Sequence, residues 1–463
     1  MNANLRTNQE TYRLIVTRRN ASEILLLSGG SGSSLPHVEI LRGERIAEQL
    51  TAQLYAQLRC RAYCLLVPDL AAGLPHCGVM EATDLEQTSP PGTCWKPLEV
   101  ATCAAVDPAE DRTAVEKSIK AWAEYRREPS QAPFTKPGWL SELLAWAQEQ
   151  LGPLDLRLTG SFAQRNASPR FSLIRLETDD ASAVWFKATG EPNRHELAVT
   201  ACLARLFPGY VPEMLGVHTA WNGWLMREPP GKILDDVPEL ASWLQTAEDL
   251  ARLQIGSIGR EAELLEGSCR DLRLPRLIGE VDPWIDRMRG LMAAQEKQIP
   301  ARLTDPELTL LGGSLKEACL RLSEIGLPDT LGHLDFNPGN IVVSSGRSVF
   351  LDWAEGCVTN PLITFEYLCE HFRRNPTDGR ADMESLTAAY AQPWQPLRLR
   401  DDLTRAALFS PLVAVFAFAV AMGVRRSWEP RGKSSEVAYL RSLARRMFRE
   451  ASQIMERSDL CRH

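Results

Sequence analysis

Short alternating runs of apolar and polar residues begin the chain and predict a small sheet with two helices. Residues 14–17 and 23–27 flank a polar turn, which is typical of a β-hairpin. Apolar positions at helical spacing follow at 44–58 and again at 107–125. Further strands are predicted at 35–41, 61–68, 78–82 and 97–101. We therefore expect an α/β domain over residues 1–128.

A change of composition follows this first region. Prolines and polar residues between positions 126 and 137 are typical of a linker. An amphipathic helix is then predicted at Trp139–Leu151, and its two tryptophans could pack on either neighbouring domain. We expect residues 129–150 to be a linker and a bridging helix.

Alternation returns beyond the bridge and predicts a β-rich region over residues 151–230. Strands are expected at 171–176 and 183–188. Lys187 lies in the second of these strands, after a polar turn. Before them, the small residues of 158–163, which include Gly160 and Ser161, and those of 166–168 predict a turn between two strands.

A helix and a last strand complete this region. The helix at 194–206 is amphipathic and has Glu196 in its first turn, where the helix dipole favours a carboxylate. A strand that contains Met226 and Glu228 then runs into a Pro-Pro-Gly segment, which predicts a linker. The remaining chain, 231–463, carries mostly helical patterns, and we expect its basic stretch near the end to be a solvated face.

The strongest chemical signal lies between positions 333 and 352. His333 and Asp335 precede a loop, Asn340 comes just before a short buried strand, and Asp352 follows a second strand after a turn. Folding of this hairpin places Asp352 beside Asn340. An amide oxygen and a carboxylate there could hold Mg²⁺, while Asp335 could orient a hydroxyl. Phosphoryl transfer from ATP needs these parts.

This motif, His-x-Asp-x-x-x-x-Asn followed by Leu-Asp-Trp, resembles the catalytic loop and metal site of aminoglycoside phosphotransferase and choline kinase-like enzymes. The resemblance implies an α+β, bilobal protein-kinase-like fold with a β-rich N-lobe and a helical C-lobe. It implies Asp335 as the catalytic residue, His333 as a residue that holds the loop, and Asn340 with Asp352 as Mg²⁺ ligands. The expected reaction transfers the γ-phosphate of ATP to a hydroxyl of a small molecule.

The same resemblance assigns a nucleotide site. In the family a strand lysine contacts the α/β-phosphates and a helix acid pairs with it; the matching residues here are Lys187 and Glu196. The family's linker backbone binds adenine, and Met226 with Glu228 match it. A small-residue turn covers the phosphates in the family, and Gly160 with Ser161 match that turn. Glu191 is a competing acid, and the turn has no Gly-x-Gly-x-x-Gly pattern.

Three acids lie on the side where the family binds its acceptor: Glu355, Glu366 and Glu370. A carboxylate there could recognise an amine or a hydroxyl, and each is equally an ordinary solvated acid. Because one fold serves many acceptors, the sequence leaves an antibiotic, a sugar, a choline-like amine and an amino alcohol open as the acceptor. The oligomeric state and the choice between ATP and GTP are open as well.

The order of hairpin, third strand, helix and strand in the first domain resembles the start of a Nudix domain. A functional Nudix helix carries Arg-Glu-x-x-Glu-Glu, whereas residues 52–59 read Ala-Gln-Leu-Tyr-Ala-Gln-Leu-Arg. Glutamine and alanine cannot replace carboxylates as ligands of a hard cation. We therefore expect a degenerate Nudix-like domain with a structural, regulatory or lid role.

Composition narrows the partners and the compartment. The net charge of −7 argues against nucleic-acid binding, which usually needs a basic face. Eleven cysteines without Cys-x-x-Cys pairs, and a polar start without a signal peptide, predict reduced thiols and a cytoplasmic location. The apolar run 412–422 is shorter than the ~20 residues that span a bilayer, so we expect a buried helix and no membrane.

Two other functions remain open. A non-catalytic nucleotide-binding regulatory protein on the same fold agrees with the poor glycine turn. Such a protein has no need of intact Asp335, Asn340 and Asp352, however. A protein kinase is disfavoured, because Asp-Trp replaces Asp-Phe-Gly and no Ala-Pro-Glu follows.

Overall fold

The computed structural model describes residues 8–28, 33–83, 89–99, 102–103, 105–128, 130–374, 380–397, 399–425 and 434–460. Its architecture is α+β, as the sequence predicts. The chain forms two compact units. The first comprises Met1–Arg194 and Met214–Glu228, and the second comprises His195–Glu213 and Pro229–His463.

The first unit begins with a seven-stranded sheet. Its strands are β1 (Gln9–Arg18), β2 (Glu23–Ser28), β3 (Ser33–Ser34), β4 (His37–Leu41), β5 (Ala62–Leu66), β6 (His76–Ala82) and β7 (Thr93–Pro97). Strand β1 pairs antiparallel with β2 and β4 and parallel with β6. The predicted β1–β2 hairpin is therefore confirmed. The strand predicted at 97–101 is wrong, because β7 ends at Pro97; residues 100–101 lie outside the described part.

Helices cover both faces of strand β1. They are α1 (Ile46–Leu58), α2 (Ala109–Arg126) and α3 (Trp139–Leu151). Leu14 shares one buried cluster with Leu50 of α1, whereas Ile15 shares another with Val115 of α2. Successive side chains of a strand point to opposite faces, so burial on both sides explains why the apolar run of β1 is continuous. The Nudix-like resemblance of this region stays a prediction.

A second, antiparallel sheet of five strands completes the first unit. Its strands are β8 (Leu158–Ala167), β9 (Ser172–Thr178), β10 (Ala183–Ala188), β11 (Met214–His218) and β12 (Gly223–Arg227). Phe186 of β10 packs in the same cluster as Trp139 of α3 and Ile15 of β1. The bridging helix therefore joins the cores of both sheets.

The second unit is mainly helical. Its helices are α4 (Glu196–Leu206), α5 (Leu240–Ser257), α6 (Glu261–Glu266), α7 (Leu274–Ala293), α8 (Asp305–Ile325), α9 (Pro361–Arg374), α10 (Arg380–Ala391), α11 (Arg400–Ala406), α12 (Ser410–Arg425) and α13 (Ser434–Leu460). Two three-stranded sheets accompany them. Their strands are β13 (Lys232–Ile233), β14 (Arg270–Asp271), β15 (Thr330–His333), β16 (Ile341–Ser344), β17 (Arg347–Phe350) and β18 (Gly356–Thr359).

The apolar run near position 412 forms helix α12, whose side chains Val413, Phe416 and Ala417 are fully buried. The predicted buried helix is thus confirmed. No single helix of the described residues is long and apolar enough to cross a membrane. The helices Arg400–Ala406 and Ser410–Gly423, bent by 70° at their junction, could do so as a pair by length and composition alone.

Helix α5 anchors the β16–β17 hairpin through a buried acid. The Asp249 carboxylate, on a residue only 3% exposed, accepts a hydrogen bond of 2.8 Å from the backbone N–H of Ser348. It accepts a second bond of 3.0 Å from the Gln245 amide. Thr246 of the same helix also contacts the Ser348 hydroxyl. The apolar stripe of this helix, Trp243 included, is buried as predicted, and Asp249 is a buried acid beside it.

Replacement of Asp249 by alanine is expected to lower the free energy of unfolding by about 1–3 kcal/mol, because the buried Ser348 N–H loses its partner. Urea unfolding followed by circular dichroism measures the change. The control is Glu248→Ala on the same helix, since Glu248 forms only a partly exposed pair with Arg252. Equal effects of the two substitutions would contradict the anchoring role.

Candidate active site

The loop after β15 is fixed by His333. This residue is 1% exposed, and its backbone N–H donates to the Thr364 hydroxyl at 2.8 Å. Its Nδ1 accepts from the backbone N–H of Asp335 at 3.1 Å, and its Nε2 lies 3.0 Å from the carbonyl oxygen of Leu351. An N–H donates and a carbonyl accepts, so these partners require the neutral ring with hydrogen on Nε2. One ring thus ties the Asp335 loop to the end of β17.

The Asp335 carboxylate is exposed, yet both of its oxygens have side-chain donors. The Asn337 amide donates to Oδ1 at 2.9 Å, and the Asn340 amide donates to Oδ2 at 3.2 Å. Asn340 also donates to the Asp335 carbonyl oxygen at 3.0 Å. These bonds orient the carboxylate on a short loop. Asn337 has no predicted role, although its place two residues after the acid favours this kind of local bond.

Asp352 follows the hairpin directly, as predicted. The backbone N–H of Leu351 donates to the Asn340 carbonyl oxygen at 2.8 Å, and the Trp353 indole donates to Phe350 at 3.0 Å. These bonds bring the chain at Asp352 back to the chain at Asn340. Asp352 itself has the left-handed conformation, with φ 59° and ψ 62°. Its side chain is exposed.

The donor chemistry of this segment agrees with Mg²⁺. The Asn340 NH₂ group faces Asp335, which leaves the amide oxygen as the atom for a cation. Together with the Asp352 carboxylate this gives two hard oxygen donors. Mg²⁺ is usually bound by one or two carboxylates plus substrate phosphates, not by a full protein cage. Accordingly, no cluster of three or more His, Cys, Asp and Glu side chains that could hold a metal occurs among the described residues.

Helix α4 packs on the segment that follows Asp352. The His195 ring lies 2.8 Å from the Ala354 carbonyl oxygen, and Val199 packs against Gly356. Glu196, the predicted partner of the strand lysine, is 1% exposed in the first turn of this helix. His195 is not among the predicted site residues, because nothing in the local pattern indicates a partner so far along the chain.

Five of the predicted nucleotide residues belong to the first unit: Lys187, Met226, Glu228, Gly160 and Ser161. Lys187 is 5% exposed in β10, and its Nζ lies 5.8 Å from the centre of the Trp224 ring. Met226 is half-buried in β12, where it pairs with Trp185 of β10. The contacts of these residues with a nucleotide stay predictions.

The Glu228 carboxylate is already engaged within the first unit. It accepts two hydrogen bonds from Arg175, at 2.8 and 2.9 Å, and one from the Trp185 indole at 2.9 Å. The bonds from Arg175 are the main reason why the pKa of Glu228 is lowered. The backbone N–H of Glu228 donates to Ala183 at 3.0 Å. Any contact of Glu228 with adenine would therefore have to use its carbonyl oxygen.

The turn predicted at 158–163 and 166–168 is wrong for Gly160 and Ser161. Both residues lie inside strand β8, at a register shift between Leu158 and Phe162. Gly160 has a φ of +83°, a conformation that glycine adopts without strain, and such a residue makes a bulge within a strand. The Ser161 N–H lies 3.2 Å from the Thr159 hydroxyl. The actual turn between β8 and β9 comes later, where the N–H of Ser168 donates to Phe171.

A cavity of about 660 Å³ lies beside Asp335 within the second unit. Helix α9 lines it with Glu366, Tyr367 and Glu370, and α13 adds Arg446. The basic stretch of α13, expected to be a solvated face, therefore reaches the cavity, and the prediction is wrong for Arg446. The side chain of Arg446 is only 33% exposed and pairs with Glu370 at 3.0 Å.

The two acids of α9 have opposite pKa shifts. Burial raises the pKa of Glu366, which accepts a hydrogen bond of 2.7 Å from the Ser410 hydroxyl. Burial also acts on Glu370, but the neighbouring guanidinium groups of Arg446, Arg374 and Arg373 outweigh it and lower the pKa. Of the three acids expected near an acceptor, these two lie on the cavity wall, and Glu355 does not line it.

Neutralising these acids is expected to change stability with opposite pH dependence. The folded state holds the Glu366 proton more tightly, so wild type loses stability as pH rises from the ordinary value of 4.5 towards the raised pKa. The free energy of unfolding of Glu366→Gln should therefore rise relative to that of wild type over this pH interval. The Glu370 carboxylate stabilises the fold above pH 4.5, and this stabilisation is lost in acid. The free energy of unfolding of Glu370→Gln should therefore be lower than that of wild type at neutral pH. Urea unfolding from about pH 4 to pH 8 measures both variants, and shifts of the same sign would contradict the assignment.

Comparison with known proteins identifies the region that contains this site. Residues 187–404 match the phosphotransferase enzyme family. The resemblance to the aminoglycoside phosphotransferase and choline kinase-like family is therefore confirmed. This phosphotransferase-family segment contains Lys187 and the whole loop from His333 to Asp352. No curated protein matches the chain.

Several solved phosphotransferases resemble the chain. Macrolide 2′-phosphotransferase from Brachybacterium faecium is 16% identical, with a TM-score of 0.43, over 65% of this chain and 98% of that one. Plasmodium vivax ethanolamine kinase is 13% identical, with a TM-score of 0.45, over 66% of this chain and 88% of that one. Aminoglycoside 2′-phosphotransferase-IIIa, solved as its GDP complex, is 13% identical, with a TM-score of 0.43, over 66% of this chain and 98% of that one.

Proposed function

We propose that the protein transfers the γ-phosphoryl group of ATP to a hydroxyl group of a small molecule. The observation that carries the proposal is the position of Asp335. Its carboxylate is oriented by Asn337 and Asn340, and it lies on the wall of a cavity large enough for a small molecule. The match of residues 187–404 to a phosphotransferase family supports the same reaction class.

Asp335 acts on the acceptor. Phosphoryl transfer requires little covalent work from the protein, so positioning and charge neutralisation dominate catalysis. A carboxylate within hydrogen-bond reach orients the acceptor hydroxyl and accepts its proton as the new bond to phosphorus forms. His333 does not touch the acceptor in this scheme. It positions Asp335 by accepting the hydrogen bond of that residue's backbone N–H.

Asn340 and Asp352 would hold Mg²⁺, and the ion would supply neutralisation of charge on the phosphate oxygens. Lys187 binds the α/β-phosphates and Glu196 supports it as a counter-ion. Met226 and Glu228 contribute backbone groups next to adenine, and Gly160 with Ser161 borders the phosphates. These nucleotide-side roles rest on the family motif.

The experiment that tests the function is calorimetric titration of ATP into the full chain with and without Mg²⁺. Binding is expected to require Mg²⁺. Lys187→Met should weaken it about tenfold or more, because a charged hydrogen bond contributes about 1.5–3 kcal/mol. Lys316→Met is the control, since Lys316 on helix α8 forms an exposed pair with Asp282 on helix α7. Absence of ATP binding, or binding that is indifferent to Mg²⁺, would contradict the proposed function.

A further inference from the structure

The cavity beside Asp335 has one polar and one apolar part. Phe418, Val415 and Leu443 contribute apolar surface from helices α12 and α13. The ring of Tyr439 meets that of Phe418 edge-on, with 6.3 Å between their centres. Such surfaces suit one face of a ring-shaped or carbon-rich molecule. If the proposed function holds, this cavity is where the acceptor binds.

The polar part is dominated by three arginines around one carboxylate. Arg446 donates to Glu370 Oε2 at 3.0 Å, and Arg374 donates to the other oxygen of the same carboxylate. Arg373 lies 3.6 Å from Glu370. Both oxygens of Glu370 are therefore occupied by guanidinium groups from the protein itself.

The second acid of the wall is occupied too. Glu366 accepts from the Ser410 hydroxyl at 2.7 Å, and its other oxygen lies 3.8 Å from Arg373. The wall also carries the titratable groups of Tyr367, Cys369, His371, Tyr439 and Glu450, together with Asp335 at the proposed site of chemistry. A positively charged acceptor would have to displace an arginine to reach Glu366 or Glu370.

An anionic acceptor could instead bind an arginine of this wall without displacing a side chain. A guanidinium group has five N–H donors, and among the described residues Arg446 uses one hydrogen bond, to Glu370. Its remaining donors are in a half-buried position, where charge-assisted hydrogen bonds are stronger than in water. Arg446 and Asp335 both line this cavity.

We infer that the acceptor carries an anionic group, a carboxylate or a phosphate, in addition to the hydroxyl that is phosphorylated. Arg446 and Arg373 bind the anionic group on one side of the cavity. Asp335 orients the hydroxyl on the other side. Glu366 and Glu370 hold the arginines in place and do not recognise a cation.

Three sugars of the same ring size but different charge test the inference: glucuronate, glucose and glucosamine. Saturation-transfer NMR measures their binding to the full chain in the presence of excess ADP and Mg²⁺, which keeps anions out of the nucleotide site. Glucuronate is expected to bind at least about tenfold more tightly than glucosamine, with glucose between them. Arg446→Gln should abolish this preference.

Two further variants control the result. Arg449→Gln changes the net charge equally on the exposed face of the same helix, and it should keep the preference. Arg446→Lys keeps the positive charge, so it should retain part of the preference even if Arg446→Gln fails to fold.

Tighter binding of glucosamine, equal binding of all three sugars, or no binding of any would overturn the inference. A preference that survives in Arg446→Gln would overturn it as well. The ADP signal is read separately in each sample. Absence of Mg²⁺-dependent ADP binding by the wild-type chain would contradict the proposed function. The sugar signals test only whether the acceptor is anionic.

Discussion

Replacement of Asp335 by asparagine is expected to lower kcat at least ~100-fold with little change in the KM for ATP. The amide keeps the size of the side chain but cannot accept the proton of the acceptor hydroxyl. It also cannot accept hydrogen bonds from Asn337 and Asn340 on both of its terminal atoms. Any residual activity would come from positioning by the remaining groups.

A coupled assay of ADP release in the presence of an accepted substrate measures this effect. The matched control is Asp282→Asn on helix α7, because the Asp282 side chain is 74% exposed and forms a surface pair with Lys316. Thermal unfolding of both variants separates loss of chemistry from loss of structure. Turnover of Asp335→Asn close to that of wild type would remove Asp335 from the reaction.

The second large effect concerns Asp352. Its backbone is left-handed, with φ 59°, a conformation that asparagine and aspartate tolerate better than other residues with a side chain. Asp352→Asn therefore removes the charge and preserves the backbone. We expect at least ~100-fold lower turnover and a higher Mg²⁺ concentration for half-maximal activity, because a hard cation loses its carboxylate ligand.

Comparison of two substitutions at this position distinguishes charge from conformation. Asp352→Ala removes the same charge and adds backbone strain, so it should match Asp352→Asn in Mg²⁺ dependence and fall below it in thermal stability. Activity as a function of Mg²⁺ and a thermal scan measure the two quantities. A Mg²⁺ dependence in Asp352→Asn equal to that of wild type would contradict metal binding by this residue.

The site residues that the sequence predicts are those whose partners lie close along the chain. The loop at His333, the strand after Asn340 and the acid at Asp352 are joined by one hairpin, so spacing alone places them together. Helix Trp139–Leu151 was predicted with its observed bounds for a similar reason, since its apolar stripe is complete within the element. Where structure is local, pattern and geometry coincide.

Partners distant in sequence could not be predicted. Arg446 and its partner Glu370 are 76 positions apart, and His195 and its partner Ala354 are 159 positions apart. The sequence of a basic helix face does not indicate which acidic residue it will contact. The prediction of a turn at Gly160 is wrong for a different reason, because small residues are common both in turns and in strand bulges.

The hairpin of β16 and β17 has a further consequence for engineering. Its tip at Ser345 and Gly346 is exposed, whereas the bonds that fix Asp352 lie at the opposite end of the ladder, at Leu351 and Phe350. Because the paired strands set the register of the hairpin, a longer tip should not shift the residues at its other end. A peptide tag or a dye-bearing residue inserted at the tip should therefore report on this part of the protein without altering its reactivity.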